Sequence, residues 1–127
     1  MKSTFLIRFG LAVVMFMHSV PSIVSGDVLA FGNEFLASKG FGIFSVPLAI
    51  TIKLIHLFSI YALLANRFLK PIAILNIIIL ISGIIMIHGQ EGWYVVGGGR
   101  NGIEFNFILI FVFLSFWFPD GLIKSEK

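Results

Sequence analysis

The chain has 127 residues, 58% of them hydrophobic and only 12% charged, about half the charge of soluble domains. Its net charge of +3 comes without a basic stripe, so nucleic acid is excluded as a partner. The absence of cysteine excludes a disulfide framework, a thiolate metal site and dithiol redox chemistry by this chain alone.

Four apolar stretches, at about 5–24, 46–65, 71–88 and 103–118, fill most of the sequence, and mean hydropathy is +1.05. An α-helix rises ~1.5 Å per residue, so about 20 residues cross the ~30 Å hydrocarbon core of a bilayer. Backbone polar groups in lipid must be satisfied within the segment, which predicts helices packed on one another. The expected fold is all-α, an up-down four-helix transmembrane bundle forming a single domain over residues 1–127.

The first stretch also has features of a secretory signal: basic Lys2 and Arg8, an apolar run and small residues at Ser25 and Gly26. No A-x-A-like site follows Pro21 and Ser22, and the stretch is long enough to span, so it is read as the first helix. Between the second and third stretches a short turn carries Arg67 and Lys70 and ends at Pro71, a favoured first-turn residue. An antiparallel hairpin is expected there. Lys2, Arg8, Arg67, Lys70, Lys124 and Lys127 all fall on one side of that topology, against Lys39 and Arg100 on the other. By the positive-inside rule both termini are cytoplasmic, in a multi-pass protein of the inner (plasma) membrane.

Loops 25–45 and 89–102 then face outward. In the first, Phe31, Phe35 and Leu36 have helical spacing, which places part of it in the membrane interface. In the second, Trp93 and Tyr94 favour the headgroup level. Its run Gly97 to Gly102 fits G-x-G-x-x-G, but a dinucleotide fingerprint needs a strand before it and a soluble βαβ unit after it. A flexible loop is expected instead.

Ionisable groups inside a span cost ~2.5–3.5 kcal/mol each at a helix centre, so each deserves a functional reading. The candidates are Arg8, His18, Lys53, His56, His88 and Glu104. Arg8 reads most simply as a snorkelling cytoplasmic anchor. The other five fall in the outward half of the bundle, contributed by all four helices, and Lys53 and His56 share a face at i and i+3.

Three readings follow. Glu104 and Lys53 form a buried ion pair that fixes helix register, with the histidines in interhelical hydrogen bonds. Alternatively the five residues line a small-molecule pocket, where imidazoles suit a group that changes protonation, such as a quinone or quinol. The third is an ion or proton path. Histidines on three different helices are also haem-ligand types, but lone histidines without further pattern more often make hydrogen bonds, and haem is not expected. No metal set is assigned.

An early Arg-Phe-Gly-Leu (Arg8 to Leu11), His18 near the end of the first stretch, His88 closing the third, and Asn101-Gly102-Ile103-Glu104 opening the fourth resemble the DoxX family. Those are small four-helix membrane proteins, and the likeness covers nearly the whole chain through the order and spacing of loose motifs. The resemblance implies membrane redox or quinone-linked metabolism, with a membrane or peripheral redox protein as partner. Ser19 stands where many members have Gly, and Lys53 where they often carry an acidic residue, which puts a carboxylate role there in doubt. The alternatives are a non-catalytic partner or assembly subunit, and a small transporter or proton-coupled channel.

Overall fold

The computed structural model describes residues 4–97 and 101–120. Lys2, Arg100, Lys124 and Lys127, used above for orientation, lie outside the described residues, as do Gly98 and Gly99 of the glycine run. The fold is all-α, with no strand among the described residues. Three helices are long and apolar enough to cross a membrane: Phe5–Ser25, Leu69–Met86, and Ser45–Ala65 with the turn that leads into it. The chain divides into two compact units, Met1–Phe68 and Leu69–Lys127.

The first unit is built on α1 (Phe5–Ser25) and α3 (Ser45–Ala65). Helix α1 runs through Pro21, which has no N–H to offer the Met17 carbonyl, and stops at Gly26. Gly26 has φ 83°, a left-handed cap that a residue with a Cβ adopts only at a cost. Helix α3 carries Pro47 in its first turn, where no intrahelical donor is needed, and ends on left-handed Asn66 at φ 55°.

The two helices are antiparallel, and their register is fixed by reciprocal hydrogen bonds. Arg8 of α1 donates Nη1 to the Leu63 carbonyl of α3 at 2.6 Å, and Lys53 of α3 donates Nζ to the His18 carbonyl of α1 at 2.5 Å. These bonds lie ten residues apart on each helix, about 15 Å. Between them Leu11, Ala12 and Met15 of α1 and His56, Ser59 and Ala62 of α3 are buried, as is Ser19 just past the second bond. Small residues let the backbones approach, as in other membrane helix pairs. The Ser19 and Ser59 hydroxyls donate back to the Met15 and Ile55 carbonyls, which leaves neither serine unsatisfied.

Between α1 and α3 runs α2 (Asp27–Ala30), continued by a π-helical stretch, Phe31–Leu36. Its inner face packs Val28 and Leu36 on Ala49, with Phe31, Phe35 and Leu48 around them. Gly32 lies flush on α3: a Cβ there would come within 2.9 Å of the Val46 Cα. Asp27, Asn33, Glu34 and Lys39 are exposed. The helical spacing expected in this loop is thus real, with a wider turn in its middle that the spacing did not indicate.

The second unit pairs α4 (Leu69–Met86) with α5 (Glu104–Leu114). Asn106 Nδ2 donates to the Leu80 carbonyl at 3.1 Å, and Trp117 Nε1 to the Lys70 carbonyl at 3.0 Å, so this pair is antiparallel too. Gly83 makes room for Asn106, whose Nδ2 lies 3.1 Å from where a Cβ would stand. Asn76, seven residues before Gly83, is buried and donates to the Ile72 carbonyl. Helix α5 is shorter than the expected 103–118. Its 11 residues rise about 16 Å before turns lead to Pro119, and Pro disfavours helical backbone in the residue before it.

Candidate functional site

Three of the five expected site residues belong to the first unit and two to the second. In the first unit, His18, Lys53 and His56 come together where α1 and α3 cross. The His18 and His56 rings meet edge-on, with centroids 6.4 Å apart. Lys53, one turn before His56, reaches over to the His18 carbonyl, so its ammonium sits beside the histidine pair. Lys53 is half-buried, His18 exposed, and His56 only 9% exposed.

His56 is the odd member. Its Nδ1 is buried and has no hydrogen-bond partner among the described residues. A buried polar atom without a partner costs about 1–3 kcal/mol, so such atoms are uncommon unless a ligand or water completes them. The acidic residues of this unit are Asp27 and Glu34, both exposed on the α2 segment outside α1 and α3. From its own unit the cluster therefore has a cation and two imidazoles, and no carboxylate.

In the second unit, His88 and Glu104 close a loop. His88 Nδ1 lies 2.8 Å from the Asn101 carbonyl. Glu104 Oε1 accepts the backbone N–H groups of Val95 and Val96, each at 2.7 Å. Around them Gly102, Ile103 and Glu104 donate their own N–H groups to the carbonyls of Tyr94, Gly92 and Trp93. Gly102 is required by close approach: a Cβ would lie 2.6 Å from the Trp93 carbonyl carbon and oxygen and from the Tyr94 oxygen. Each residue of the Asn101-Gly102-Ile103-Glu104 motif thus ties down the chain between α4 and α5. At the first turn of α5 the Glu104 carboxylate also favours the positive end of the helix dipole. An open cleft of about 320 Å³ lies beside it, lined by Val95, Val96, Glu104, Phe105 and Ile108.

Glu104 takes the loop N–H groups of Val95 and Val96 as partners, and Lys53 the His18 carbonyl. Arg8 departs from expectation. It is 7% exposed and bonded to Leu63, with Nε donating to Thr4 Oγ1 at 3.0 Å, so it is a buried interhelical clamp and not a snorkelling anchor. The reason is local: the last carbonyls of α3 lack intrahelical donors, and a cation there satisfies one of them. Among the described residues, no three His, Asp or Glu side chains gather as a metal set.

No protein-family model, curated protein or solved structure matches this chain.

Proposed function

We propose that this is a multi-pass protein of the inner membrane that holds a quinone-like molecule at His18, Lys53 and His56 and so supports membrane redox metabolism, as its resemblance to the DoxX family implies. The observation that carries the reading is the buried, unpartnered Nδ1 of His56 beside two further hydrogen-bonding side chains. One imidazole nitrogen serves both redox forms. Protonated, it donates to a quinone carbonyl; unprotonated, it accepts from a quinol hydroxyl. The flanking α1 and α3 surfaces are apolar and suit a ring and an isoprenoid tail. His88 and Glu104 hold the loop in this reading.

The proposed topology has both termini in the cytoplasm and α5, with its flanking turns, as a fourth crossing. Residues 103–118 rise about 24 Å even if wholly helical, so that crossing requires local thinning of the bilayer.

The test is titration of a short-tailed benzoquinone into purified protein in lipid nanodiscs. Saturable binding, weakened at least about tenfold in His56→Leu, supports the proposal; a completed buried hydrogen bond of that size is ordinary. Binding that is absent, or equal in His56→Leu, ends it.

A second reading, a non-catalytic partner subunit, draws on the clamped loop, which keeps Trp93, Tyr94 and Val96 exposed. It predicts that a co-purifying membrane or peripheral protein is lost in a Trp93→Ser, Tyr94→Ser double variant.

A further inference from the structure

Resting on the quinone reading above, we infer that the α1–α3 cluster selects the ionised form of a hydroxylated quinone over the neutral form. Lys53 carries an ammonium within a membrane-spanning helix, about 12 Å from the α3 start, and its bond to the His18 carbonyl is charge–dipole, not an ion pair. The acidic side chains of its unit, Asp27 and Glu34, are exposed on the α2 segment, and neither α1 nor α3 contains one. A cation in apolar surroundings is strongly favoured by a counter-ion. A second polar group of the cluster, buried His56 Nδ1, can be presented as an N–H donor.

A ligand that fits both groups is rich in acceptors and carries negative charge. A hydroxyquinone anion does so on a flat apolar ring, with its charge shared between two oxygens. One oxygen is matched to the Lys53 ammonium in a charge-assisted bond and another to buried His56.

The experiment compares 2-hydroxy-1,4-naphthoquinone, an anion at neutral pH with its own visible band, against its neutral 2-methoxy ether. Both are titrated into full-length protein in nanodiscs of zwitterionic phosphatidylcholine, so that lipid charge adds nothing. The anion is expected to bind about tenfold tighter, as a charge-assisted bond outweighs a neutral one. In Lys53→Met that preference falls to within about threefold, while the ether still binds. Lys53→Arg, which keeps the charge, retains the preference and carries the test if Lys53→Met fails to fold. Equal binding of the two compounds by the unmodified protein overturns this inference and leaves the quinone reading standing. Binding of neither compound removes both. A preference that survives in Lys53→Met, or is lost in Lys53→Arg, overturns the role given to Lys53.

Discussion

Replacing Gly102 by Ala adds one methyl group where the backbone leaves no space. Carbon atoms in ordinary contact lie about 3.5–4.0 Å apart, whereas this Cβ would stand 2.6 Å from three backbone atoms of Trp93 and Tyr94. Backbone cannot swing aside as a side chain can, so residues 92–96 must separate from residues 101–104. Three backbone hydrogen bonds join those segments, each worth about 1 kcal/mol net. The Glu104 carboxylate adds two charge-assisted bonds to Val95 and Val96, partly screened by exposure. The expected loss is therefore about 2–4 kcal/mol, the upper end applying if the carboxylate bonds break as well. The assay is tryptophan emission during thermal unfolding in detergent, in a Trp117→Phe background that leaves Trp93 as the reporter. Trp93 rests on Phe107 with ring centroids 5.2 Å apart, so release of the loop shifts its emission to the red and lowers the midpoint. Gly10→Ala is the control. Nothing lies within 4 Å of its Cβ position, and Ala is the better helix former by about 1 kcal/mol. If Gly102→Ala unfolds and emits like the parent protein, the loop clamp is wrong.

Gly32→Ala drives a methyl into the Val46 backbone and should lift the α2 segment from α3, costing about 1–3 kcal/mol and raising proteolysis within residues 27–40. Arg8→Met removes the donor to the Leu63 carbonyl and is expected to destabilise the α1–α3 pair by about 1.5–3 kcal/mol in denaturant titration, with Arg8→Lys intermediate. Glu104→Gln keeps an acceptor oxygen for Val95 and Val96 but loses the charge. It should soften the loop slightly and leave quinone binding unchanged, which nanodisc titration checks.

Uniform apolarity made the long helices easy to place. The expected 5–24, 46–65 and 71–88 differ from α1, α3 and α4 by at most two residues at any end. The fourth stretch misled because Phe-rich composition persists to Phe118, whereas the helix ends at Leu114 as the chain turns toward Pro119. Depth counting along each helix, with the i and i+3 spacing, was enough to bring Lys53 and His56 to the level of His18. It could not pair Arg8 with Leu63, because the register between two helices depends on which small residues meet, and depth alone does not say which of Ala12, Ser19, Ser59 and Ala62 do. Nor did depth reveal the roles of His88 and Glu104. Their roles follow from the path of the loop, for which the sequence offered one signal, the turn-forming Asn101-Gly102 pair.

Histidine nitrogen resonances test the ligand site most directly, since the chain has only 3 histidines. With ¹⁵N-labelled histidine in nanodiscs, the account predicts that saturating benzoquinone moves the Nδ1 signal of His56, assigned by its loss in His56→Leu, and leaves His88 where it was. If the His56 signal stays fixed at saturation while the quinone is demonstrably bound, the molecule sits elsewhere and the proposed site is contradicted.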